Sequence, residues 1–140
     1  MLLISVTPIT VRSTELDAYG HVNNAKYLEY FEWGRFDWVE ALPLPPAMVE
    51  RLSIVIANVN VNFRKEARRG DALTVETRLT RRGRSSLELS QILKNDQDDT
   101  IADAVVTGVT FDPVLRKSAP IPEVLLPFLD AALAVASEVR

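Results

Sequence analysis

The chain contains no cysteine and a single histidine, His21. The first absence excludes disulfide frameworks, thiolate metal sites and a cysteine nucleophile. The second makes a histidine-built metal cluster improbable, so no metal is expected. No apolar run is long enough to span a bilayer, and no membrane partner is expected. The opening Met-Leu-Leu-Ile-Ser-Val-Thr-Pro lacks a basic n-region and reaches polar residues too early for a secretory signal, so a cytoplasmic protein is the expectation. Internal repeats and low-complexity linkers are also missing.

What is present is the balance of one globular domain: 140 residues, 47% hydrophobic and 25% charged. The expected division is a core over about 4–112 and a C-terminal helix over about 122–139, within a single domain 1–140. The net charge of -3 is unevenly spread, because residues 64–84 hold eight basic side chains against three acidic ones. A local basic patch on an acidic chain suits a small phosphorylated ligand better than a nucleic acid. Solvated strand faces explain it equally well.

Residues 4–12 are rich in β-branched types and predict a strand, with Pro8 marking an edge or bulge. From Ala25 to Leu42 the spacing turns helical. Tyr27, Phe31, Gly34, Trp38 and Leu42 form a stripe, widened by Leu28, Phe36 and Val39. Asn23 or Asn24 is a natural N-cap, and Pro43 stops the helix. A short turn or helical segment over about 45–51 precedes four strand-like runs, read as an antiparallel meander. In the first, Val55, Ala57, Val59, Val61 and Phe63 share the apolar face and Asn58, Asn60 and Asn62 the other. The final helix offers Val124, Leu125, Phe128, Leu129, Leu133 and Val135. The order predicts an α+β fold with a long helix on one face of a curved antiparallel sheet.

Chemistry is concentrated in Glu15-Leu-Asp-Ala-Tyr-Gly-His-Val-Asn-Asn-Ala-Lys-Tyr-Leu28. Asp17 precedes a turn on Gly20 that opens into the long helix. A carboxylate facing free helix-start N–H groups is minimal equipment for attacking a polarised carbonyl. Alone, Asp17 reads as a turn or capping residue. Asn23 and Asn24 read as caps, and Tyr27, Phe31 and Trp38 as core.

The motif Asp17-x-x-Gly20-His21-Val22-Asn23-Asn24-x-x-Tyr27-Leu28, then Phe31-Glu32, Val61-x-Phe63-Arg64-Lys65 and Gly70-Asp71, resembles hotdog-fold acyl-CoA thioesterases of the 4-hydroxybenzoyl-CoA thioesterase type, over residues 8–112. The resemblance implies a sheet of five to six strands wrapped around one central helix. It also implies dimers joined edge to edge, often paired into tetramers, with an acyl-CoA or acyl-carrier-protein thioester at the dimer interface. Asp17 then serves as nucleophile or general base, and the backbone N–H near Asn24 polarises the carbonyl. His21 supports, Gly20, Asn23 and Tyr27 contact substrate, and Arg64, Lys65, Arg82 and Arg84 are candidates for the nucleotide end of CoA. No cofactor is implied beyond CoA as part of the substrate. The family commonly has proline after the basic pair, where this chain has Glu66. Two other functions fit the same residues: a hotdog hydratase or dehydratase using His21 with Asp17, and a non-catalytic acyl-CoA-binding protein.

Overall fold

The computed structural model describes residues 4–139, and their side chains apart from those of 49–51 and 136–139. The domain bounds expected at 1 and 140 lie outside that range. The long helix α1 (Asn24–Glu40) starts where Asn23 accepts a 2.9 Å hydrogen bond from the Ala25 N–H, an N-cap that satisfies one of the free first-turn donors. It ends three residues before Pro43, with the Ala41 N–H closing on Asp37. Its buried side is Tyr27, Tyr30, Phe31, Gly34 and Trp38. Leu28 and Phe36, expected in the stripe, are exposed, and Tyr30 is inside instead. The reason is polar: the Tyr30 hydroxyl donates to the buried Glu15 carboxylate at 3.0 Å. Burial, reinforced by that carboxylate, pushes the Tyr30 phenol well above the ordinary tyrosine range.

Five strands form the main sheet: β1 (Ile4–Thr10), β2 (Ile54–Phe63), β3 (Ala72–Arg82), β4 (Ser86–Asn95) and β5 (Thr100–Asp112). A two-residue strand, β6 (Lys117–Ser118), pairs with the end of β5. The spatial order is β1-β3-β4-β5-β2, antiparallel throughout. This corrects the four-strand meander: only β3, β4 and β5 run consecutively, while β2 crosses to the far edge and pairs with β5. A second correction lies within β2. Its register against β5 shifts between Ile56 and Asn58, so Ala57 is the extra residue of a bulge. Directly opposed residues share a face, so Ile56 joins Val59, Val61 and Phe63 on the side of buried Ala102, Ala104 and Val106. Val55 moves to the asparagine side.

α1 packs against β1, β3 and β4. The approach is close at Gly34, where a Cβ would lie 2.6 Å from Val75 Cγ1 and 2.9 Å from Thr77 Oγ1. Beneath it, fully buried Gln91 donates to the Phe31 carbonyl at 2.8 Å and to Thr77 at 2.9 Å. A six-residue helix, α2 (Pro46–Arg51), follows α1. The C-terminal helix α3 (Leu126–Val139), with the short 3-10 turn Glu123–Leu125 before it, covers the distal half of the same sheet face, joining Leu125, Leu129 and Ala132 to Trp38, Leu79, Leu87 and Leu89. Val124, expected on its apolar side, is exposed.

Candidate active site

The turn before α1 is a small closed structure. Leu16 and Val22 pair as an antiparallel bridge, the Asp17 N–H donates to the His21 carbonyl at 2.7 Å, and the Gly20 N–H returns to the Asp17 carbonyl at 3.2 Å. Gly20 sits at φ +78°, the left-handed region that glycine enters without steric penalty. The Asp17 carboxylate is held from one side. Its Oδ1 accepts the Tyr19 N–H at 2.8 Å and the His21 N–H at 3.1 Å, while Oδ2 carries no hydrogen bond from the described residues. Two oxygens of one carboxylate therefore have different tasks, one fixed and one free.

The turn is tied to the segment after β2. Val22 N–H donates to the Ala67 carbonyl at 2.9 Å, and His21 pairs with Arg68 as a bridge. Between the two lies a pocket of about 280 Å³. Asp17, His21, Val22, Asn24 and Tyr27 form one wall, and Phe63, Arg64, Lys65 and Glu66 the other. Asn24 is the first helical residue, and its N–H has no acceptor among the described residues. That donor belongs to the positive end of a 17-residue helix, and Asn24 lines the same pocket as Asp17. Tyr27 is buried: its ring stands 5.6 Å from that of Phe63, its hydroxyl accepts the Ala67 N–H at 3.3 Å, and burial raises its phenol.

The His21 side chain is engaged by Glu66. Nε2 lies 3.0 Å from Glu66 Oε2, and the other Glu66 oxygen accepts from Arg68 at 2.8 Å. The Arg68 hydrogen bond holds the Glu66 carboxyl below its usual range. The two basic residues of the strand-turn motif are engaged too, Arg64 with Asp103 at 2.7 Å and Lys65 with Asp99 at 2.7 Å. All of these cations sit at an exposed rim.

Of the residues expected at the site, Asp17, His21, Asn24, Tyr27, Arg64 and Lys65 line one pocket. Gly20 and Asn23 shape its turn and cap. Arg82 and Arg84 are not brought there. Arg82 closes β3, ten residues or roughly 34 Å of strand from Ala72, and binds Asp130 of α3 at 2.6 Å. Arg84 lines a separate small hollow with Ser85 and Ser118. Phe63 and Glu66 line the pocket without having been singled out for it, although both stand beside the Arg64-Lys65 pair. Buried Glu15, which receives the Arg12 N–H at 2.8 Å besides Tyr30, was likewise missed as the support beneath the turn.

A curled antiparallel sheet cupping a central helix, with a carboxylate turn at that helix's N-terminus, is the hotdog fold of thioesterases. The family model described as the thioesterase-like superfamily matches residues 11–129, and the chain belongs to that family. It is 36% identical over 114 residues to the long-chain acyl-CoA thioesterase FadM of Escherichia coli K12, covering 80% of this chain and 86% of that one. Identity to the acyl-CoA thioester hydrolase YbgC of Escherichia coli O6:H1 is 27% over 118 residues, covering 83% and 88%. Among solved structures, a thioesterase of Thermus thermophilus complexed with coenzyme A and Zn superposes with a TM-score of 0.79 at 27% identity, over 89% of this chain and 95% of that one. Among the described residues no helix is long and apolar enough to cross a membrane.

Proposed function

We propose that the chain hydrolyses acyl-CoA thioesters, long-chain ones foremost, and that Asp17 Oδ2 and the Asn24 N–H carry the reaction. The observation behind this is the pocket itself, which brings together Asp17 and Asn24, one with a carboxylate oxygen and the other with a helix-start N–H that no described residue engages. With the thioester carbonyl against Asn24, the developing oxyanion gains a hydrogen bond and the helix's positive end. Asp17 Oδ2 then attacks the carbonyl carbon directly or takes a proton from an attacking water. Collapse of the tetrahedral species breaks the C–S bond and releases the thiol and, after water has added, the acid. The long-chain preference is supported by the similarity to FadM. The exposed cations of the pocket rim, Arg64 and Lys65, are the candidates to meet the phosphates of CoA, exchanging their present carboxylates.

Hydration chemistry would call on the His21 imidazole, which is committed to Glu66. Self-association belongs to this proposal. β2 is a ten-residue edge strand with Val55, Ile56, Val59 and Phe63 exposed, and an unpaired apolar edge is a template for a second copy. The test is thiol release from short, long and aromatic acyl-CoAs, run beside Asp17→Asn. Asparagine keeps an acceptor for the Tyr19 and His21 N–H groups, so the turn survives while the charge goes. A loss of about 10²-fold or more in kcat is expected; a variant as fast as wild type would overturn the mechanism.

A further inference from the structure

Glu15 is the one charged residue buried among the described residues, and it forms no ion pair there. Its Oε1 accepts the Arg12 N–H at 2.8 Å and the Tyr30 hydroxyl at 3.0 Å, both neutral donors, while Oε2 accepts from none of the described residues. A carboxylate taken out of water is costly without a cation beside it, and an apolar side chain of similar size would fill the space at less cost. The hydrolysis proposed above makes no chemical use of it.

Glu15 holds α1 at two points. Its carbonyl accepts the N–H of Asn23, the cap residue directly before Asn24, at 2.9 Å. Its carboxylate reaches Tyr30, six residues beyond Asn24 and so roughly 9 Å further along the helix. Asp17 follows Glu15 by two residues, past the Leu16–Val22 bridge. One residue therefore connects the turn that presents the carboxylate to the helix that presents the N–H. Two anchors separated along α1 fix the turn's orientation as well as its distance, which the cap bond alone would not do. Tyr30 also stands edge-on to Tyr27, with ring centres 6.1 Å apart, and Tyr27 lines the pocket. Burial raises the Tyr30 phenol, so its hydroxyl keeps its proton and remains a donor to Glu15.

We propose that Glu15 is a positioning residue for the hydrolysis, which through the Tyr30 hydroxyl holds the Asp17 carboxylate in attacking geometry relative to a carbonyl bound at the Asn24 N–H. The inference rests on the thioesterase reading and adds to it a buried residue that does not line the pocket. Attack is sensitive to placement, and a displacement of about 1 Å can cost about 10²-fold in rate. Geometry and not charge is what Glu15 supplies. Only Oε1 is used, so a glutamine oxygen in its place can accept both hydrogen bonds.

The test compares Tyr30→Phe, Glu15→Gln and Asp17→Asn in the full chain by steady-state thiol release from the acyl-CoA that wild type hydrolyses fastest, with amide hydrogen exchange on the same proteins. Tyr30→Phe keeps the buried ring and removes one hydroxyl. Its kcat is expected to fall about 10- to 100-fold with KM within about threefold of wild type, because placement acts in the transition state and not on binding. Glu15→Gln keeps the acceptor and is expected to hold kcat within about threefold of wild type. In Tyr30→Phe the His21 and Asn23 amides, which bond to Asp17 and Glu15, should exchange about tenfold faster while the β4 amides keep their wild-type rates. A bond that served stability alone would speed exchange throughout the sheet and leave kcat per folded molecule unchanged. Wild-type kcat in Tyr30→Phe, a Glu15→Gln as slow as Tyr30→Phe, or exchange accelerated throughout the sheet each overturns the proposal. Asp17→Asn separates the two readings. At wild-type speed it removes the hydrolytic mechanism itself, and when it is slow beside a fast Tyr30→Phe only the positioning role falls.

Discussion

Asn24 separates what a side chain does from what a backbone does. Its amide is not needed for the cap, which Asn23 supplies. Its N–H is the proposed oxyanion donor, so Asn24→Ala is expected to keep near wild-type kcat. Asn24→Pro is the sharper experiment. Proline is well tolerated at the first helical position, and the preceding Asn23, at φ -61° and ψ 137°, already has the extended backbone that a following proline requires. The substitution therefore deletes one N–H and little else. Steady-state kinetics should show kcat lower by about 10²–10³-fold with the unfolding midpoint preserved; undiminished turnover would move the oxyanion site elsewhere. This part of the site was legible because Asp17, Gly20, His21 and Asn24 fall within eight residues, where turn and cap chemistry are local. Glu66 was harder to place, since its role follows from the His21–Arg68 bridge between segments more than forty residues apart.

The helix α1 was legible in its bounds and only partly in its buried face. Periodicity marks a stripe but cannot tell an aromatic that meets the sheet from one that meets open space. Phe36 has the right spacing and lies exposed, while Tyr30 is inside because a buried carboxylate receives its hydroxyl. Gly34, by contrast, was foreseen as a point of close approach, and the 2.6 Å distance from a built Cβ to Val75 gives the reason. Gly34→Ala gains up to about 1 kcal/mol of helix propensity and meets an overpacking cost of about 1–3 kcal/mol. Net destabilisation is expected, visible as a lower urea midpoint with an unchanged slope. A midpoint at or above wild type would mean that Val75 and Gln91 yield easily, and that α1 is not seated as tightly as the geometry says.

Sheet order is the part that the sequence could not supply. A strand's own alternation says which residues share a face and nothing about which neighbour it joins, so β2 was placed beside β3 by default of succession. The bulge at Ala57 was equally hidden, because Val55, Ile56 and Ala57 are all apolar and an extra residue leaves no break in the pattern. The observed order leaves β2 at an edge, and the proposed dimer uses it. Val59→Lys puts a charge in the middle of that edge, on a residue 39% exposed in the single chain. Sedimentation velocity should show the wild-type dimer shifting toward monomer, with thiol release falling alongside if the partner completes the substrate site. A wild type that sediments as a monomer would remove the edge-to-edge assembly.

The same sheet order constrains how the chain comes together in time. β2 is made before β3 and β4, yet the residues it pairs with lie 39 to 56 positions downstream. The turn at Asp17 and the first turn of α1 close over a few residues and can form as soon as they exist. β2 has no such option, since it stays without its partner until β5 has emerged. The carboxylate proposed to carry the reaction is thus presented by one of the earliest-closing pieces of the molecule, and the strand proposed to join two copies is among the last to be anchored.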